Sequence, residues 1–168
     1  MKRIAAVAAL VLVTIAPALA VTTHKKTATL TVKGSVASTC TLTTPTFSFN
    51  IGVGYIHSPG NTILKQNTLG VKCTKNATTQ ITMNSGLYGN AAGSQFGSRS
   101  MKDSSGDYLG YELCHDNACS TVWTPQGYNY VSPSDHGSSL PVWTRIITGQ
   151  SKAKQGSYAD SVTVTISF

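Results

Sequence analysis

The chain has 168 residues, with 13 Lys and Arg against 6 Asp and Glu, four Cys, 8% aromatic and only 11% charged residues. That length suits one domain with short appendages and argues against a multidomain enzyme. Soluble chains average about 25% charged residues, so solubility here rests on Thr, Ser, Asn and Gly, a composition that favours an extracellular β-protein over a coiled coil or a disordered tail.

The N-terminus reads as an address. Met1, Lys2 and Arg3 give a positive start, Ile4 to Ile15 an apolar stretch, and Ala18-Leu19-Ala20 a small-x-small cleavage pattern. Residues 1–20 are therefore expected to be a cleaved secretory signal peptide. A permanent membrane helix is the competing reading, but Pro17 and the small residues before position 21 favour cleavage. No other segment is apolar enough to span a bilayer, so no integral membrane segment is expected after cleavage. Losing Lys2 and Arg3 lowers the formal charge from +7 to +5. The remaining basic residues are scattered, without a Lys/Arg-rich run interleaved with aromatics, and nucleic acid is not expected as a partner.

Four Cys in an exported chain suggest two disulfides with three possible connectivities. Cys114 and Cys119 flank four residues, a suitable length for a hairpin tip, which makes a second pairing of Cys40 with Cys73 attractive. A zinc site using His115 with the neighbouring Cys is the alternative, but Cys40 and Cys73 supply no second knuckle.

Along the expected mature chain, period-two alternation dominates. Ala28, Leu30 and Val32 alternate with Thr27, Thr29, Thr31 and Lys33, giving one apolar edge to an extended segment. A second run starts near Ser35-Val36 and leads through Cys40-Thr41-Leu42 to Phe47 and Phe49, which share a face. Turn residues Ser58-Pro59-Gly60-Asn61 follow, then short strands at 69–73 and 80–83. Helical periodicity is absent. Residues 84–100, rich in Gly, Ser and Asn, are expected to be a surface loop without core residues. Leu109, Tyr111 and Leu113 then alternate with Tyr108, Glu112 and Cys114, and Thr121-Val122-Trp123 is expected to return as the partner strand of a stapled hairpin. A polar stretch at 124–139 precedes a strand at 140–146. After a loop at 149–156, Val162, Val164, Ile166 and Phe168 alternate with Ser and Thr to the last residue. About six to seven short strands separated by turns predict an all-β antiparallel sandwich of immunoglobulin size.

Catalytic signals are weak. Residues 103–107 place oxygens at alternate positions, as a calcium loop would, but the glycine is misplaced and Cys114 stands where the bidentate Glu belongs. The four His lie in expected loops or termini, and no nucleophile sits in an elbow motif. Glu112 and five Asp leave a carboxylate pair for glycoside hydrolysis open without supporting it. No catalytic residue, cofactor or metal is assigned.

The two ends carry the information: an N-terminal segment whose apolar edge needs a partner, and a sandwich whose final strand runs to the last residue. A segment that adds itself to a neighbour's sheet would satisfy both. The sequence resembles the spore coat protein U-like subunits of archaic chaperone-usher pili. The matching stretches are Val36 to Cys40, Val71-Lys72-Cys73-Thr74, Met101 through Leu113, Arg145-Ile146 with Gly149-Gln150, and Gly156 to Phe168. The last block, a Gly-x-Tyr-x-Asp entry to an alternating terminal strand, is the most specific. The resemblance implies an incomplete immunoglobulin-like sandwich over residues 36–168, with residues 21–35 as an N-terminal donor-strand extension. It further implies a structural, non-enzymatic pilus subunit that joins identical or related subunits after meeting a periplasmic chaperone and an outer-membrane usher. On that resemblance Ala28, Leu30 and Val32 are donor residues, Val36 belongs either to that donor edge or to the subunit's own first strand, and Val162, Val164, Ile166 and Phe168 form the acceptor groove that faces the chaperone. Cys114 and Cys119 depart from the commoner pattern. A self-contained secreted coat or matrix sandwich and a small secreted hydrolase are the alternative readings.

Overall fold

The computed structural model describes residues 24–168; the expected signal peptide lies outside them. The chain divides into two units, residues 1–35 and residues 36–168. In the first, residues 24–35 have no regular secondary structure, and Leu30 and Val32 are 87% and 84% exposed.

The second unit is all-β, an immunoglobulin-like sandwich of two antiparallel sheets. Its strands are β1 (Cys40–Thr43), β2 (Thr62–Cys73), β3 (Thr78–Met83), β4 (Arg99–Lys102), β5 (Tyr108–Cys114), β6 (Tyr128–Val131), β7 (Ser138–Ile147) and β8 (Val164–Ser167). Five strands form one sheet in the order β1-β2-β7-β5-β4, and three form the other in the order β6-β3-β8. Leu69 and Val71 of β2, Leu113 of β5 and Val142 and Ile146 of β7 meet Ile81 and Met83 of β3 and Tyr130 of β6 in one core. Alternation explains the pairing: inward residues of β3 and β7 are every second one, as a two-layer sandwich requires.

Both disulfides follow the spacing argument. Cys40–Cys73 ties β1 to β2, whose residues 40 and 73 are also register partners, and Cys114–Cys119 closes the tip beyond β5. With its thiols paired to each other, that tip offers His115 no thiolate partners for zinc. Residues 103–107 form a polar turn in which the Asp103 carboxylate accepts the backbone N–H groups of Ser105 and Asp107 at 3.0 and 2.7 Å.

Three expectations need correction and a fourth holds only over a short stretch. Residues 84–100 do contribute to the core, because Arg99 and Ser100 are fully buried where β4 begins. The stapled hairpin is present but short, a bridge between Cys114 and Val122 flanked by hydrogen bonds from His115 N–H to the Thr121 carbonyl and from Trp123 N–H to the Leu113 carbonyl, both at 2.9 Å; the longer partners of β5 are β4 and β7, on its two edges. Helix is not absent, since Val53–His57 forms one short helix, α1, that buries Ile56. The polar stretch 124–139 conceals β6, so the sandwich has eight strands rather than six or seven.

Candidate functional site

The layers do not close on one side of the sandwich. Among the described residues β8 pairs only with β3, so its other edge carries no strand. Facing that gap is the segment 44–51, whose backbone makes no main-chain hydrogen bond to any of the described residues. It is held instead by side chains from β2. Asn67 Nδ2 donates to the Thr46 carbonyl at 3.1 Å, and Lys65 Nζ donates to the Ser48 carbonyl at 2.6 Å while lying 5.6 Å from the Phe49 ring centre. Phe47 and Phe49 stack with centroids 6.5 Å apart and partly cover the core.

Between these two edges runs a trough. One part, about 440 Å³, has Met83, Leu113, Val142, Thr144 and Val164 on its floor and Phe47 and Val162 on its sides. A neighbouring part of about 630 Å³ extends towards α1 and residues 153–158. Phe47, Phe49, Met101 and Tyr158 wall both. The first part is therefore a mainly apolar slot that the chain's own strands leave unfilled, bounded by two stretches of backbone with free hydrogen-bonding capacity, whereas the part towards α1 is more polar.

The polar residues at its rim are fixed by a buried network. Tyr111 of β5 donates its hydroxyl to Asp160 at 2.7 Å, and the other Asp160 oxygen accepts the N–H groups of Leu87 and Ser161, both at 2.8 Å. Burial, reinforced by Asp160, pushes the Tyr111 phenol well above its usual range. Gly86 lies against that carboxylate with φ +74°, and a Cβ there would collide with it. Arg99, 1% exposed, pairs with Glu112 at 2.7 Å and donates to the carbonyls of Trp123 at 2.7 Å, Met83 at 3.3 Å and Asn84 at 3.0 Å. Burial lowers the Arg99 pKa while Glu112 opposes the shift. This guanidinium, carried on the five-stranded sheet, anchors the end of β3 in the other sheet.

The Gly-x-Tyr-x-Asp block has a local physical reason. Gly156 packs where a Cβ would approach Asp103 Oδ2 at 2.8 Å. Tyr158 closes the preceding turn through its hydroxyl, bonded to both N–H and carbonyl of Lys154 at 2.8 and 3.0 Å. Asp160 then fixes the entry to β8. Between them Ala159 bridges to Lys102 of β4, so the chain leaves the first sheet and crosses to the second just before the terminal strand.

The expected groove residues are distributed unevenly. Val162 and Val164 line the trough, Ile166 is opposite Ile81 and packs on the core, and Phe168 lies past the end of β8 and is 60% exposed. Among the expected donor residues, Ala28, Leu30 and Val32 are exposed in the first unit, and Val36, 87% exposed, begins the second. Met83, Tyr111, Val142 and Thr144 were not singled out for the groove. They are inward positions of β3, β5 and β7, and it is the unfilled trough beside them that turns core into site.

A family model described as Spore Coat Protein U domain matches residues 26–165. The chain belongs to that family. Among solved structures, it is similar to a chain in the crystal structure of the CsuC–CsuE chaperone–tip adhesion subunit pre-assembly complex from archaic chaperone-usher Csu pili of Acinetobacter baumannii. That match has 21% identity and a TM-score of 0.53, and covers 79% of this chain and 40% of the other. A chaperone–tip adhesin complex of CFA/I fimbriae biogenesis gives 15% identity, a TM-score of 0.40, and coverage of 76% and 41%. The chain thus spans about 40% of the length of the matched chains in these structures. Among curated proteins none matches.

Proposed function

We propose that this protein is a structural subunit of a chaperone-usher pilus, polymerising when the N-terminal segment of a neighbouring subunit fills the trough beside β8. The observation that carries this reading is the slot itself: an apolar floor and, among the described residues, an unpaired β8 edge and a facing segment without main-chain bonds. An inserted strand would satisfy the backbone of β8 and place alternate side chains on the floor. Residues 27–33 have the pattern required, with Ala28, Leu30 and Val32 on one edge and Val36 continuing it. Burying these aliphatic side chains contributes on the order of 4–9 kcal/mol before the ladder is counted. Val162 and Val164 would contact the donor, Ile166 would support the edge, and Phe168 would be presented to a periplasmic chaperone. The family resemblance carries the usher, export through the periplasm to the cell surface, the absence of enzymatic activity, and a role in adhesion or biofilm.

The test uses the full chain carrying Leu30→Asp and Val32→Asp, which disables its own donor. A loose, poorly cooperative thermal transition that becomes sharp and rises by 10 °C or more on adding a peptide of residues 25–36 supports the proposal. A cooperative transition indifferent to the peptide means that the sandwich is complete by itself, and returns the protein to a self-contained secreted coat or matrix role.

A further inference from the structure

Two of the stretches that carry the family resemblance, Val36 to Cys40 and Val71 to Thr74, meet where the N-terminal segment leaves the sandwich. The ladder of β1 and β2 begins at the register pair Cys40 and Cys73, and the Thr74 N–H donates to the Thr39 carbonyl at 3.0 Å, adding one step beyond it. The half-buried Thr74 hydroxyl spends its whole hydrogen-bonding capacity on the same stretch. It accepts the Thr39 N–H at 3.1 Å, donates to the Ala37 carbonyl at 3.4 Å, and lies 3.4 Å from the Thr39 hydroxyl, which supplies its second incoming proton. Ala37 and Thr39 are thus tied to the body although both are exposed, beside a disulfide that fixes Cys40. Upstream the restraint stops. Residues 24–36 make no main-chain hydrogen bond to any of the described residues, and Val36 is 87% exposed.

We infer that Thr74 is the positioning residue of the joint between subunits, ending the body at Ala37 and leaving Lys33 to Val36 as the free link to a donor whose last plug is Val32. The inference rests on the donor-strand reading above and adds where the donor ends. Val32 and Ala37 are five positions apart, so the link spans at most about 17 Å. Val36 shares the parity of the plugs, yet it is one peptide bond from a pinned residue and would reach a neighbour's trough only with the two bodies touching. Gly34 and Ser35 make the link pliable. Its shortness, set by one hydroxyl, limits how far two joined bodies separate and tilt. Without that hydroxyl Ala37 and Ser38 join the link, which lengthens by about 7 Å, while Thr39 stays on the ladder.

Thr74→Val tests this, because it keeps the shape and the backbone bond and removes the hydroxyl. The full chain carrying Leu30→Asp and Val32→Asp, its trough filled with the peptide of residues 25–36, is measured by amide nitrogen relaxation with and without Thr74→Val. With Thr74, Ala37 and Ser38 are expected to show order parameters of about 0.85, as in β1 and β2; with Val they fall below about 0.6, the level of residues 33–36 in both proteins. Melting temperature and peptide affinity are expected to stay unchanged, which separates positioning from general support. In small-angle scattering, a complex of the peptide-filled chain with intact donor and the empty donor-disabled chain is expected to lengthen when the donor-bearing partner carries Thr74→Val. Equal order of Ala37 and Ser38 in both proteins, or an unchanged length of the complex, overturns the role of Thr74 and leaves the donor reading standing. Failure of the peptide to bind overturns the donor reading and the joint with it, whatever the order parameters.

Discussion

Tyr111 shows how one side chain links core, rim and pH response. Its ring is buried in the core, and its hydroxyl holds Asp160 at the entrance to β8. The phenol is held protonated well above its usual value near 10 by burial and Asp160. The folded state thus binds this proton more tightly than the unfolded chain, and the stabilisation is whole below about pH 10 and declines as pH rises above it. Tyr111→Phe should cost about 1.5–3 kcal/mol at pH 8, the range for a hydrogen bond to a charged group. In urea unfolding, the gap between wild type and Tyr111→Phe should narrow from pH 8 to pH 11; a gap constant with pH would mean that the phenol proton is not held by Asp160. Arg99 and Glu112 illustrate what a residue-level reading passes over. Arg99 sits among Ser and Gly and reads as a solvated loop residue, and its partner is 13 positions away. The available signal was Glu112, a carboxylate inside the apolar run Tyr111 to Leu113, which in a buried strand requires a cation.

The segment 44–51 is the element on which the open groove depends. A paired strand would be fixed by its ladder, whereas this one is held over β2 by two side-chain hydrogen bonds and the packing of Phe47 and Phe49. Lys65→Ala with Asn67→Ala should therefore raise amide hydrogen exchange of residues 44–51 by an order of magnitude or more while leaving β2 and β7 protected, because the pairing of those strands is backbone to backbone. Equal acceleration across β2 would show that the two side chains support the sheet rather than the segment. Elements were legible in the sequence where alternation was strong and uninterrupted, as in β3, β5 and β8. The first half of β2 was not, since Ile63 and Leu64 are adjacent apolar residues and Leu64 is left partly exposed. β6 was hidden because Tyr128 to Val131 is brief and lies among Gly, Pro and Ser. The groove itself was legible only as an implication of the chain's two ends, since no local pattern records a strand that is absent.

At the scale of the whole molecule, the two disulfides do different work. Cys40–Cys73 spans 33 positions and joins β1 to β2, so it fixes the start of the segment that walls the groove. Cys114–Cys119 spans five positions and tightens a tip at which His115 stacks on Trp123 with centroids 3.7 Å apart. Loop-closure entropy puts the first bridge at about 4 kcal/mol and the second at about 2 kcal/mol. Their effects on the groove should differ more than their effects on stability. In Cys40→Ala with Cys73→Ala, β1 loses its covalent tie, the wall at 44–51 loses one fixed end, and the donor-disabled chain should bind the 25–36 peptide at least tenfold more weakly at a temperature where it is still folded. In Cys114→Ala with Cys119→Ala the melting temperature should fall, but peptide affinity should stay within twofold, because neither cysteine lines the trough. Calorimetric melting and peptide titration on the two variants separate these effects. Equal loss of affinity in both would mean that the bridges act only through global stability, and that the groove is no more dependent on β1 than on the rest of the sandwich.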